Sequence, residues 1–285
     1  MQPTNLNAYF RKPELKISLP SKGKYYPPGV LHLDSNGEVD VLPMTATDEL
    51  TMKTPDALLS GESTVKVIQS CIPAITNAWL MPQIDLDSVL IGIRIATYGA
   101  KMTITSITPK TGTKQEHEVD LPTVMESVNQ TLNENSIVLD NGLKVIVKPN
   151  NYQQLSLIRR QTFEKQRLAR TIERADIDDA QKQEEFNKIF QALTDINVTT
   201  LNNNIEAIET PDGVVSDKTS ITEFINNCEL KHVRAIRTQI EKMLITGTIP
   251  ALTVESQDED IKQGAPKTYK VPLLFDNSDF FEQQS

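Results

Sequence analysis

Three histidines, two cysteines and many carboxylates are the side chains of this chain that could do chemistry. His32, His117 and His232 lie far apart in the sequence, and sequence distance alone does not exclude a catalytic triad. However, no nucleophile elbow or phosphate-binding loop accompanies them. Residues 21–24 read Ser-Lys-Gly-Lys, without the upstream glycine and the Gly-Lys-Ser/Thr order of a phosphate loop. The simpler interpretation of that segment is a turn at Gly23. We therefore expect no catalytic site.

Neither the two cysteines nor the acidic runs form a pattern that predicts a metal centre. Cys71 lies in an apolar run and Cys228 at a helix-periodic position, so both are expected to be buried free thiols. Two cysteines cannot build a zinc ribbon. The acidic runs at 178–179 and 258–260 lie in polar stretches and are expected to be solvated. We expect no metal, no cofactor and, without a disulfide framework, a reducing compartment.

Length and charge narrow the class of protein. The chain has 285 residues, enough for one large domain or two ordinary ones. Its net charge of −9 and pI of about 5.0 disfavour non-specific nucleic-acid binding, although basic residues cluster between Arg159 and Arg174. No segment approaches the roughly 18 apolar residues of a membrane span. The prediction is a protein that does not bind nucleic acid and has no membrane span.

Turn and capping signals divide the first half of the chain into short elements. Residues 1–14 are polar apart from one aromatic pair, which predicts an extended arm. Residues 29–42 alternate around Asn-Gly, which predicts a hairpin, and a capping box at Thr45 predicts a short helix ending before Pro55. A second helix is expected from about Ser63.

The next elements are a buried helix and two hairpins. Residues 87–98 are apolar on nearly every side, which predicts a helix deep in the core, capped by Asp85 or Asp87 and ended by Gly99. Alternating runs predict hairpins over 101–121 and 136–147, and we expect the buried helix to pack on both.

The pattern changes to helical periodicity after about residue 150. Residues 152–195 are predicted to be helical, with the charged stretch 173–185 as an exposed connection, followed by a hairpin over 205–217. A capping box at Ser220 predicts one helix to about Ile245, and residues 250–280 predict a final hairpin.

These elements predict an α+β fold. Its N-terminal part consists of β-hairpins packed with short helices, and its C-terminal part is helix-rich and ends in a hairpin. The expected division is an arm (1–14), an α+β domain (15–150) and a helix-rich domain (151–285).

Aromatic and basic residues near both chain ends are the candidate docking residues, because aromatic and arginine side chains supply most binding hot spots. The alternatives are that the aromatics pack in the core and that the arm folds back on its own body. The candidates are Tyr9, Phe10, Arg11, Lys12, Tyr25, Tyr26, Phe280 and Phe281.

An ordered set of motifs resembles the baseplate hub and hub-assembly proteins of T4-type contractile-tailed bacteriophages. The motifs are Tyr9-Phe10-Arg11-Lys12-Pro13, Leu19-Pro20-Ser21-Lys22-Gly23, Pro43-Met44-Thr45-Ala46, Thr54-Pro55-Asp56-Ala57-Leu58, Ile68-Gln69-Ser70-Cys71-Ile72-Pro73, Asn77-Ala78-Trp79, Ile93-Arg94-Ile95-Ala96-Thr97-Tyr98-Gly99 and Asp276-Asn277-Ser278-Asp279-Phe280-Phe281. Relatives often carry cysteine pairs in two hairpins that here read Thr108-Pro109-Lys110-Thr111 and 256–266. Turn chemistry and packing must hold these hairpins in this chain.

The resemblance implies a non-enzymatic subunit or assembly factor of a phage tail baseplate hub. Its partners would be other baseplate or tail proteins, with self-association into a homo-oligomer left open. It would act in the host bacterial cytoplasm during assembly and then reside in the virion tail. A transient tail-assembly chaperone absent from the virion is the alternative, and an enzyme with an unrecognised site is the third.

Overall fold

The structure, a computed structural model, describes residues 6–53, 61–128 and 134–273. After a 3-10 turn at Leu6–Tyr9, the helices are α1 (Ala46–Met52), α2 (Glu62–Cys71), α3 (Leu86–Tyr98), α4 (Leu121–Ser127), α5 (Tyr152–Arg174), α6 (Asp179–Asn204), α7 (Lys218–Asn227), α8 (Leu230–Leu244) and α9 (Asp258–Lys262). The strands are β1 (Leu15–Ser18), β2 (Glu38–Val41), β3 (Lys101–Ile107), β4 (Lys114–Asp120), β5 (Ser136–Val138), β6 (Lys144–Val147), β7 (Ile205–Thr210), β8 (Gly213–Val215), β9 (Leu252–Glu255) and β10 (Thr268–Val271). All strand pairs are antiparallel, and the predicted α+β class is confirmed.

The prediction of a hairpin over residues 29–42 is wrong about which strands pair. The Asn-Gly turn forms, because Asp34 Oδ1 accepts hydrogen bonds from the backbone N–H groups of Asn36 and Glu38. However, β2 pairs with β1, in a register that places Val39 opposite Ile17. The segment before the turn bonds instead to the chain near residue 75. Alternation identified an extended segment but could not identify its partner.

Helix α3 lies at the centre of the first of two hydrophobic cores and confirms the predicted buried helix. Gly92 faces the β1–β2 pair, and a Cβ at this position would lie 3.2 Å from the Ile17 side chain. The absence of a side chain therefore lets the strand pair approach the helix closely. Trp79 and Tyr152 stack with ring centroids 5.8 Å apart at the margin of the same core.

The β5–β6 hairpin belongs to a second core, so the expectation that it packs on α3 is wrong. Strand β6 pairs with β7 in the four-stranded sheet β5-β6-β7-β8. Val145 and Val147 are fully buried there, together with Ile221 of α7 and Ile236 of α8. The sheet therefore joins strands on both sides of residue 150 in the chain.

The predicted helix over 220–245 is two helices. Asp217 caps α7 by accepting a hydrogen bond from the Ser220 backbone N–H at 2.8 Å, so the predicted capping box is not the cap. The chain leaves helical geometry at Cys228, and α8 begins at Leu230. The break lets both helices bury a face on the sheet. Similarly, most of the predicted connection 173–185 is helical, because α6 begins at Asp179.

Side-chain hydrogen bonds join the β3–β4 hairpin to the C-terminal β9–β10 hairpin. Asp260, in the short helix α9 between β9 and β10, accepts hydrogen bonds from Thr113 Oγ1 at 2.6 Å and Gln115 Nε2 at 3.0 Å. Ser106 Oγ of β3 also lies 2.6 Å from Tyr269 Oη of β10. The two hairpins without cysteine pairs are thus held by polar contacts between turn and strand residues.

Candidate docking surface

An exposed apolar patch occupies the N-terminal 3-10 turn. Leu6 and Tyr9 lie three residues apart, which puts them on one face of a 3-10 helix. Their exposed fractions are 63% and 83%, and the adjacent Phe10 is 63% exposed. We call Leu6, Tyr9 and Phe10 the N-terminal patch. Leu6 was not predicted, although its spacing from Tyr9 was a signal available in the sequence.

Arg11 fixes the N-terminal patch to the body of the protein. Its Nη1 donates to the Pro43 carbonyl oxygen at 2.7 Å, and its Nη2 donates to the Ser70 carbonyl oxygen and hydroxyl at 2.9 and 2.8 Å. Asp48 Oδ2 lies 3.3 Å from Nη1 and completes a partly buried ion pair. The arm is therefore anchored at Arg11. At this residue it folds back on the body of the protein, which was the alternative to docking.

The Arg11 anchor uses a carboxylate that also caps helix α1. Asp48 Oδ2 accepts hydrogen bonds from the Thr45 backbone N–H and hydroxyl, both at 2.8 Å, and from the Ser70 hydroxyl at 3.0 Å. Asp48 is 8% exposed, so its charge is compensated by these donors and by Arg11. Burial, with the Asp48 charge, raises the pKa of the neighbouring Cys71 thiol to about 12, so this thiol stays protonated.

Tyr26 is held by the body of the protein, whereas Tyr25 contacts its chain neighbour Lys24. Tyr26 Oη donates to Asp85 Oδ2 at 2.9 Å and packs against the first core, and burial raises its pKa well above 10. Tyr25 is half-buried, with Lys24 Nζ 5.0 Å from its ring centre. Lys12 is exposed. The remaining candidates, Phe280 and Phe281, lie outside the described residues.

The buried carboxylate of Asp85 organises the turn that carries Tyr26. It accepts hydrogen bonds from the Ser21 backbone N–H at 2.7 Å and the Ser21 hydroxyl at 2.6 Å, as well as from Tyr26. Burial raises its pKa to about 6, although these three donors act in the opposite direction. The side chain of Asp85 does not make the predicted cap of α3 but accepts hydrogen bonds from Ser21 and Tyr26 instead.

The histidines occupy three separate environments. His232 Nε2 lies 2.5 Å from Asp140 Oδ1, and His117 Nε2 lies 2.8 Å from Ser106 Oγ. His32 hydrogen-bonds through its backbone to Ala74. Among residues 6–53, 61–128 and 134–273, no cluster of three metal-ligating side chains occurs. The helices in these ranges include none that is long and apolar enough to cross a bilayer.

One known protein family matches most of the chain. A family model described as "T4 bacteriophage base plate protein" matches residues 12–251. The chain belongs to this family. The match spans both hydrophobic cores and begins one residue after Arg11. No curated protein and no solved structure matches the chain. Family membership confirms the resemblance to T4-type baseplate proteins and assigns the chain to the baseplate of a phage tail.

Proposed function

We propose that the protein is a non-enzymatic subunit or assembly factor of the baseplate hub, which binds another tail protein through its N-terminal patch. The observation that carries this proposal is the Arg11 anchor. It attaches the arm to Pro43 and Ser70 while Tyr9 and Phe10 remain exposed. A fixed aromatic pair loses little conformational entropy when a partner covers it, and aromatic residues are typical hot spots.

The anchor also determines how the patch must be tested. Deleting residues 1–14 would remove Arg11 and leave Asp48 and Ser70 without its hydrogen bonds, so a loss of stability would be mixed with a loss of docking. The sharper variant is the double substitution Tyr9→Ala and Phe10→Ala. Both rings are largely exposed, so we expect an unchanged melting temperature.

The assay measures incorporation of the protein into baseplates during infection of the host, where assembly in the cytoplasm is proposed to occur. We expect the double variant to lose at least tenfold in incorporation, since one hot spot can contribute about 2 kcal/mol. Val214→Ala, which truncates a side chain that is 66% exposed on β8, is the matched control. Normal incorporation of the double variant would overturn the proposed docking role.

A second measurement separates a resident subunit from a transient assembly factor. Quantitative mass spectrometry of purified virions should find the protein at a fixed ratio to other baseplate proteins if it is a structural subunit. Its absence from virions, together with its presence on assembly intermediates, would favour the assembly factor.

A further inference from the structure

Helix α5 carries a stripe of arginines interrupted by one phenylalanine. The members are Arg160, Phe163, Arg167, Arg170 and Arg174. They follow one another at steps of three and four residues, which places them on one face of the helix. At a rise of about 1.5 Å per residue, the stripe is about 21 Å long. We call these residues the arginine stripe.

The stripe lies on the side of α5 that faces away from α6. Beyond Ser156, the less exposed residues of α5 recur at the same steps on the opposite side, and the two helices pack against each other. These residues are Ile158, Thr162, Lys165, Ala169 and Ile172. At 3.6 residues per turn, Arg160, Arg167 and Arg174 point away from that seam. The stripe is therefore not required for packing within the helix pair.

All members of the stripe are exposed, and Phe163 has an exposed fraction of 51%. Within the described ranges, none of the four arginines forms an ion pair or side-chain hydrogen bond. By contrast, Lys188 on α6 pairs with both Glu184 and Glu185 at 2.8 Å. A row of unpaired guanidinium groups around an exposed aromatic ring has the composition of an interface.

We propose that the arginine stripe is a docking surface for an acidic surface of another protein, with an apolar recess that receives Phe163. Charge complementarity selects an acidic partner, since the four arginines outnumber Glu164, the exposed carboxylate that lies beside Arg160 and Arg167 on this face. A protein is favoured over nucleic acid because the whole chain carries a net charge of −9, which repels phosphate backbones beyond the stripe. This surface lies on a different element from the N-terminal patch, and the proposal goes beyond the function assigned to that patch.

Site-specific photo-crosslinking in the full-length protein tests this surface. Phe163 is replaced by p-benzoyl-L-phenylalanine, the protein is supplied during infection, and the crosslinked peptides are sequenced after irradiation. The same crosslinker at Phe190 is the matched control, because that ring is 64% exposed on α6 and lies outside the stripe. We expect position 163 to give a peptide from a different protein in which acidic residues outnumber basic ones, at a yield at least tenfold above position 190.

Charge variants of the stripe then test the mechanism. Arg160→Glu, Arg167→Glu and Arg174→Glu together should lower the yield at position 163 at least tenfold. The corresponding triple lysine variant should retain more than a third of the yield, because it keeps the charge. Urea unfolding followed through Trp79 fluorescence should be the same for both variants, which excludes misfolding. Reversing the acidic residues of the crosslinked peptide to lysine should restore the yield of the glutamate variant.

Several results would overturn the proposal. Crosslinking to a second copy of this chain would make the stripe a self-association surface, and crosslinking to nucleic acid would make it a phosphate-binding surface. Fluorescence anisotropy with a 20-base-pair DNA duplex at physiological salt tests the second outcome. Binding that depends on the stripe would support a phosphate-binding surface. A yield at position 163 no higher than at 190, or one unaffected by the glutamate variant, would mean that the stripe is a solvated helix face.

Discussion

Replacing Asp85 with alanine should destabilise the first core strongly, because three buried donors lose their shared acceptor. The Ser21 backbone N–H, the Ser21 hydroxyl and the Tyr26 hydroxyl all donate to this carboxylate. Each buried donor left unsatisfied costs about 1–3 kcal/mol. Removing the buried charge recovers part of that cost, so we expect a net loss of about 2–5 kcal/mol in the free energy of unfolding at pH 7.

Asp85→Asn separates the charge from the hydrogen bonds. Burial raises the pKa of Asp85 from 3.8 to about 6. Because the folded state holds this proton more tightly than the unfolded state, the stabilising contribution is complete below about pH 4. It is lost as the pH rises to about 6. Relative to Asp85→Asn, which does not titrate, the parent should therefore lose about 2 kcal/mol between pH 4 and pH 7.

Urea unfolding measures both effects, and the fluorescence of the single tryptophan, Trp79, reports on the first core. Asp212→Ala is the matched control, since it removes an exposed carboxylate in the turn between β7 and β8 and should change stability by less than about 0.5 kcal/mol. The reasoning is refuted if Asp85→Ala is as stable as this control. It is also refuted if the difference between parent and Asp85→Asn does not change from pH 4 to pH 7.

Three further predictions concern the packing of the two cores. Gly247→Ala should lower the free energy of unfolding by about 3 kcal/mol or more, because its Cβ would lie 1.8 Å from the Ile84 carbonyl oxygen at a φ of +79°; urea unfolding within 1 kcal/mol of the parent would contradict this. A chain ending at residue 149 should be insoluble or melt without cooperativity, because β6 loses its partner β7; a calorimetric transition would instead support the domain boundary at 150. Arg94→Met should leave stability unchanged or raise it by up to about 2 kcal/mol, since Arg94 is 3% exposed and two of its nitrogens have no hydrogen-bond partner among the described residues; a melting temperature well below the parent's would show that the guanidinium is needed.

Local signals in the sequence located most helices and turns correctly. The capping box at Thr45 forms as predicted, and so do the hairpins predicted over 101–121 and 136–147, as β3–β4 and β5–β6. The buried helix α3 also follows from its apolar composition. In each case the deciding hydrogen bonds or apolar contacts join residues a few positions apart, so a short window of sequence contains the information.

Pairings between distant segments were decided only by the tertiary structure. The sequence of β2 shows that it is a strand, yet its pairing with β1 depends on how Ile17 and Val41 together cover Gly92 of α3. Likewise, an arginine beside two aromatics is typical of a docking arm, whereas the anchor that Arg11 makes with Ser70 requires two segments to meet. Burial and charge compensation are properties of the assembled core. Composition and spacing therefore could not identify the partner of β2 or the partner of Arg11.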